Sequence, residues 1–333
     1  MTEGPATMRD VARVAGVSVK TVSNVVNDYQ HVSASTRARV LAAIEQLDYR
    51  MNYAARSLSL GRTGMITLAV PELRLPYFAE LADEVIKAAG ARGRTVLVEQ
   101  TGGTREGELA VLASDRRRMT DGLLLAPVAL RDGDVPTLEA DAALVLLGER
   151  RLGAVPRVSM SNEAAARAVT EHLLARGRRR IALIGTYDPD GVGAGFLRTR
   201  GFLGALAAAG VEHDPARTGA AHPWTRDSGA AAMGAVLGRS GDVDGVFALN
   251  DALALGAMRT LYDAGLRVPE DVAVAGFDDV EEGRFSRPSL TTVEPGRAEI
   301  ARRAVAALVD GTGVVPDEPV PFRLEVREST GGR

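Results

Sequence analysis

The sequence contains no cysteine, so disulfide frameworks, thiolate metal sites and cysteine nucleophiles are excluded. It has no uncharged apolar stretch approaching the ~18 to 20 residues that span a bilayer. Its first ten residues, MTEGPATMRD, have neither a basic start nor an apolar run, so no secretory signal is expected. A soluble, cytoplasmic protein is the expectation. Lysine is almost missing: of 40 basic residues only Lys20 and Lys87 are lysines, a compositional bias rather than a functional signal. The four histidines, His31, His172, His213 and His222, are scattered without ligand spacing, and neither a metal nor another cofactor is expected. There is no P-loop, no GxSxG and no HExxH. Gly191, Gly193 and Gly195 do not complete GxGxxG, because Phe196 stands where the third glycine belongs, and they follow a loop rather than a strand. An enzyme is not expected.

What remains is an ordinary globular composition, 46% hydrophobic and 25% charged over 333 residues, enough for two or three packed units. The net charge of -3 is unevenly spread. Residues 1–62 carry eight Lys or Arg against five Asp or Glu, net +3, which leaves -6 for the rest. The basic end is the one suited to a polyanion.

The first ~50 residues read as short helices without strands. Thr7, with Asp10 three positions on, is a capping-box-like start, and Val11, Ala12, Val14 and Ala15 follow at helical spacing up to Gly16. Ser18 can cap a second helix to about Asn27, and Ser33 a third through Val40, Leu41, Ile44 and Leu47. A helix-turn-helix needs a small residue at the crossing, a residue tolerant of positive φ in the turn and a branched apolar residue on the second helix. Ala12, Gly16 and Val22 supply these. Val22, Val25 and Val26 then face the core, which leaves Lys20, Asn24 and Asn27 on the opposite face. There Lys can donate to guanine and Asn can pair with adenine in the major groove. Val19 suits a thymine methyl, and Thr21 and Ser23 suit phosphates. The same spacing also fits a plain helical bundle with a polar outer face.

Beyond residue 63 the pattern changes to apolar runs alternating with amphipathic helices. The runs are 65–70, 95–98, 122–126, 143–147, 181–184, 245–249 and 272–275; the helices are 77–89, 164–175, 200–209, 252–264 and 297–308. Such alternation implies parallel sheets covered on both faces, and ~270 residues is too much for one sheet, so two lobes are expected.

The strings DVARVAGVSVKTVSNVVND, HVSASTRARV, LDYRMNYAARSLSLGRTG, AELADEVIKAAGARG, MTDGLLL, EHLLARGRRRIALIG, VFALNDALALGAMR, VPEDVAVAGFDD and PSLTTVEP together resemble the lactose/galactose repressor family of bacterial transcriptional regulators. The resemblance implies a helix-turn-helix domain at 1–50, a hinge helix and linker at 51–63, and an effector-binding and dimerisation domain at 64–333 of the type I periplasmic-binding-protein fold. Its lobe 1 would take about 64–160 and 293–320, and lobe 2 about 161–290 and 321–333. DNA-contacting positions fall on Thr7, Ser18, Val19, Lys20, Thr21, Ser23, Asn24, Asn27, His31 and Tyr49, with Val19 and Lys20 as the pair that distinguishes operators. His31 and Tyr49 equally suit packing of the third helix. The segment Asn52 to Ser59 is too short to be a stable helix alone. In the resembled family it folds on DNA, which assigns Asn52, Ala55 and a minor-groove wedge, Leu58, to the operator.

For the effector, Arg198, Asn250, Asp278 and the aromatics Tyr77, Phe78 and Trp224 fit a polyol, since paired polar groups grip adjacent hydroxyls and flat rings cover a sugar's C–H face. Asp278 also suits a cap or salt bridge, and Tyr77 and Phe78 a core. Ser161-Asn162 departs from the family's Asp-Asn pair, and residues 187–196 are unusually glycine-rich. The expected effector is a carbohydrate, with a purine as the alternative because LPYFAEL resembles the purine-responsive branch. A secreted sugar-binding protein of this fold would carry a signal peptide in place of the helix-turn-helix. The expected assembly is a homodimer on a palindromic operator, acting as a repressor, since RLEVRESTGGR carries no leucine heptad for a tetramer.

Overall fold

A computed structural model of the chain describes residues 6–26, 29, 31–49, 62–140, 143–185, 193–311 and 315–332. The expected assignments at Asn27, Asn52, Ala55 and Leu58 lie outside the described residues. The chain divides into two compact units, residues 1–63 and 64–333.

In the first unit, α1 (Met8–Ala15) starts on a capping box: the Asp10 carboxylate accepts the Thr7 N–H at 3.0 Å while Thr7 Oγ1 accepts the Asp10 N–H at 3.4 Å. It ends on Gly16, whose φ of 64° closes the tight turn. Ser18 Oγ accepts the Thr21 N–H at 3.1 Å at the start of α2 (Val19–Val26), and Ser33 caps α3 (Ala34–Gln46). Val11, Ala12, Ala15, Val22, Val25, Val40 and Ala43 form the core. Alanines at 12 and 15 let the helices approach closely enough for so few residues to bury their apolar faces.

The second unit is built on two parallel sheets. The first joins β1 (Met65–Val70), β2 (Thr95–Gln100), β3 (Leu123–Leu125), β4 (Leu144–Leu147) and β5 (Arg157–Val158) in the order β2-β1-β3-β4-β5. The second joins β6 (Ile181–Ile184), β7 (Thr218–Gly219), β8 (Gly245–Ala248) and β9 (Ala273–Ala275) in the order β7-β6-β8-β9. Every pairing within them is parallel. Period-two alternation splits the first sheet between two cores, Leu68, Leu124 and Val145 on one face, Ala69, Leu123, Leu125 and Leu146 on the other. The edge strand β2 is only half-buried, as its alternating TVLVEQ sequence requires.

Helices α4 (Pro76–Gly90), α5 (Arg105–Ala113) and α6 (Val135–Glu139) accompany the first sheet, and α7 (Asn162–Ala175), α8 (Ala194–Ala208), α9 (Arg226–Ser240), α10 (Asp251–Asp263) and α11 (Glu281–Phe285) the second. The helix expected from Arg200 begins six residues earlier, at Ala194, directly after Gly193 in extended conformation. After β10 (Thr292–Glu294) the chain returns: α12 (Arg297–Val309) places Ile300, Ala301, Ala304 and Val305 in the core of the first sheet. The strand β11 (Arg323–Glu325) then pairs antiparallel with β10.

Two helix pairs close on glycine. A Cβ on Gly256 would lie 2.0 Å from the Arg226 carbonyl oxygen, one on Gly229 2.4 Å from that of Leu253, and one on Gly201 2.2 Å from that of Glu163. Backbone oxygens cannot yield as side chains do, so Gly256→Ala should push α9 and α10 apart at a cost of about 1–3 kcal/mol or more. The thermal unfolding midpoint of the variant should fall by several degrees. A midpoint equal to wild type would show that the two helices tolerate separation.

Candidate functional site

The outward face of α2 carries the residues assigned to DNA. Ser18, Val19 and Lys20 are exposed, Val19 at 42%, while Val22 and Val25 point inward. Thr21, Ser23 and Asn24 are half-buried, and the Thr21 hydroxyl lies 2.9 Å from that of Ser18. Exposed branched apolar and cationic side chains at the start of a helix have no partner to gain from folding and are free to meet another molecule. His31 is exposed and meets Tyr29 edge-on at 5.4 Å. Tyr49 is half-buried against the three-helix core, and Thr7 is engaged in its capping box.

In the second unit the polar residues converge where the parallel strands of both sheets end, the usual place for ligands in open α/β sheets. Arg198, on α8, is 3% exposed. Its Nε donates to Asn162 Oδ1 at 2.6 Å, its Nη1 to the Leu249 carbonyl just past β8, and its Nη2 lies 3.5 Å from Asp278 Oδ1 past β9. The guanidinium sits over the Phe277 ring at 3.5 Å and within 5.7 Å of Trp224. Burial lowers the Arg198 pKa from its ordinary value, against the pull of Asp278, Tyr77 and Glu149. Burial pushes Asp278 up to about 6, opposed by Arg198 and Arg297. Burial of the Tyr77 phenol, and then the charge of Asp278, raise its pKa.

Asp278 and Asp279 both hold positive φ, 112° and 50°, conformations that side-chain-bearing residues keep only under restraint. Arg297 supplies part of it by donating to the carbonyls of both residues. Arg327 lies 2.5 Å from Asp279 Oδ1. Asp251 accepts the Val280 N–H at 2.9 Å and the Thr292 hydroxyl at 2.6 Å. Burial, then the neighbouring Asp278, pushes the Asp251 carboxyl far above the ordinary aspartate range. A Cβ at Gly276 would collide with Asp251 Oδ1 at 2.1 Å, which explains the glycine of GFDD.

The sequence-assigned residues Arg198, Asp278 and Trp224 thus come together, and Tyr77 faces them from the first sheet's side. Asn250 is engaged in structure: its Oδ1 accepts the Leu253 N–H at 2.8 Å as the cap of α10, and its Nδ2 reaches the Trp224 carbonyl at 3.4 Å. The Trp224 indole donates to the Gly185 carbonyl at 3.0 Å. Phe78, like Tyr77, also packs against the first sheet's core.

Sequence reasoning missed Glu149, Phe277, Arg297 and Asp251. It also missed the role of Asn162, whose Oδ1 accepts from Arg198. Asn162 and Glu149 stand beside each other, and burial raises the Glu149 carboxyl. Among the described residues no group of three or more His, Asp or Glu side chains could hold a metal ion, and no helix is long and apolar enough to cross a membrane.

Residues 7–52 match the family model described as bacterial regulatory proteins, lacI family, and residues 170–330 that of a periplasmic binding protein-like domain. The HTH-type transcriptional regulator CelR of Thermobifida fusca is 37% identical over 338 residues, covering 97% of this chain and 98% of that protein. The structure of a transcriptional regulator CelR–cellobiose complex is similar at 34% identity and a TM-score of 0.70, covering 97% of this chain and 99% of that one. The lac repressor dimer bound to operator and the anti-inducer ONPF is similar at 29% identity and a TM-score of 0.83, covering 98% and 99%.

The Asp278 environment fixes a pH dependence. Folded, its carboxyl keeps the proton up to about pH 6, whereas an ordinary aspartate loses it near 3.8. The stability that the neutral form contributes is complete below about pH 4 and is lost as pH rises through 6. Asp278→Asn should remove this slope, changing the stability difference from wild type by up to about 3 kcal/mol between pH 4 and 6. Urea unfolding across that range measures it. Parallel pH profiles for the two proteins would contradict the assignment.

Proposed function

The chain belongs to the lacI family of bacterial regulatory proteins, and on that premise we propose that this DNA-binding transcriptional regulator is a repressor controlled by a carbohydrate bound around Arg198 and Asp278. The observation that carries the reading is the buried guanidinium–carboxylate pair at 3.5 Å, set among the rings of Phe277, Trp224 and Tyr77. Donors and acceptors fixed side by side suit adjacent hydroxyls, and ring faces suit the C–H face of a sugar. That a similar regulator has been solved with cellobiose supports a disaccharide.

In this reading Tyr77 and Phe78 close the site from the first sheet, Trp224 stacks on a sugar ring, and Asn250 orients Trp224. Val19, Lys20 and Asn24 read base edges, Ser18, Thr21 and Ser23 hold phosphates, and Leu58 is the wedge in the operator's minor groove. The homodimer on a palindromic operator is supported by the lac repressor dimer, to which this chain is similar over its length. The reading places the protein in the cytoplasm, with its DNA.

Thermal-shift measurements on the full chain test the effector class. Cellobiose or a related saccharide at 100 times its dissociation constant should stabilise the protein by ~2.7 kcal/mol, and Arg198→Ala, verified as folded by circular dichroism, should lose the response. Stabilisation by guanine or hypoxanthine with none by any saccharide would replace the carbohydrate with a purine.

A further inference from the structure

Glu80 stands on α4, one turn after Tyr77, and its carboxylate makes two contacts with residues more than 200 positions away. One oxygen lies 2.6 Å from Arg297 Nη2, and the other accepts the Glu281 backbone N–H at 2.8 Å. The Glu281 contact joins different halves of the unit, whereas Arg297 begins α12, which packs in the core of the first sheet as α4 does. Leu81, Ala82, Val85 and Ala89 root α4 in the core of the first sheet. Glu281 begins α11, directly after the Asp278–Asp279 loop at the end of β9 in the second sheet.

Arg297 is only 9% exposed, and while one face of its guanidinium meets Glu80 it also donates to the carbonyls of Asp278 and Asp279. Those are the two consecutive residues held at positive φ. Without Glu80 the buried Arg297 charge loses its carboxylate partner, and the strained loop is gripped by a cation that is itself unmatched. The amides beyond the loop are secured one by one: Asp278 N–H on the Val293 carbonyl, Val280 N–H on Asp251, and Glu281 N–H on Glu80.

We propose that Glu80 is a positioning residue for the effector. Through Arg297 it fixes the backbone of Asp278 and Asp279, and so sets where the Asp278 carboxylate stands opposite Arg198. Through the Glu281 amide it fastens the first-sheet half of the unit to the second. The role in effector binding rests on the cleft being the ligand site, but the fastening requires no ligand and is measured without one.

Hydrogen–deuterium exchange of the ligand-free full chain, read by mass spectrometry, tests it. In Glu80→Ala the amides of residues 278–283 should exchange about tenfold faster than in wild type, while peptides covering β6 and α2 keep their rates. Glu80→Gln, which retains an acceptor for the Glu281 N–H but not the charge, should show a smaller increase. Arg297→Met should speed the same segment, and adding Glu80→Ala to it should leave the Asp278 and Asp279 amides no faster. Wild-type rates at 278–283 in both Glu80 variants, or a uniform increase across the unit, would overturn the proposal. A chain that responds to no saccharide would instead overturn the carbohydrate reading, and would leave this exchange result standing.

Discussion

Burying a guanidinium that keeps its charge at any physiological pH costs several kcal/mol unless its donors and its charge are matched on the spot, and Arg198 is 3% exposed. The matching comes from Asn162, Leu249 and Asp278, with the Phe277 ring beneath. Asp278 can serve only because its backbone is held in a conformation it would not adopt alone, which brings in Arg297, Asp251 and Arg327. Arg297 in turn needs Glu80. One desolvated cation therefore fixes a chain of partners that runs through both sheets. On the function proposed above, a hydroxylated ligand would meet groups already desolvated and aligned, and would spend no binding energy on ordering them.

The topology makes this convergence possible. Both sheets place their first strand between the second and third, β2-β1-β3 and β7-β6-β8, and such reversals leave a crevice at the carboxyl ends of the strands. The chain passes between halves at Met160, which bridges to Val320, and Ser161 Oγ donates to the Val320 carbonyl at 2.9 Å. Few connections of this kind allow the halves to shift against one another as packed bodies. Glycines at 201, 229 and 256 give each helix pair beside the second sheet its close approach.

Much of this was legible from local signals. Thr7 with Asp10, Gly16 and Ser33 mark helix ends through short-range hydrogen bonds and a single φ, which depend on neighbours in sequence. Runs such as MITLAV and IALI announce buried parallel strands because both faces are covered. The helices α5 and α9 were not legible. Arg226–Ser240 is built of alanine and glycine, packs by close backbone approach rather than by an apolar stripe, and so shows no helical periodicity. Two-residue strands such as β5 and β7 are set by their neighbours alone. In the site, Arg198 and Asp278 were legible from their motifs, but Glu80, Glu149 and Arg297 were not. Their roles come from partners as far as 217 residues away, the separation of Glu80 and Arg297, which no window of sequence contains.

The account makes the cleft the control point for the exposed face of α2. Coupling of this kind exists only if the ligand discriminates between two arrangements of the protein, since a ligand that binds both equally shifts nothing. The most direct test is fluorescence anisotropy with the full chain and a duplex selected for tight binding, titrated with and without the saccharide that stabilises the protein. The account predicts that saturating saccharide moves the half-saturation point by roughly 5- to 150-fold, a coupling of ~1 to 3 kcal/mol. Superimposable curves with the saccharide demonstrably bound would contradict it.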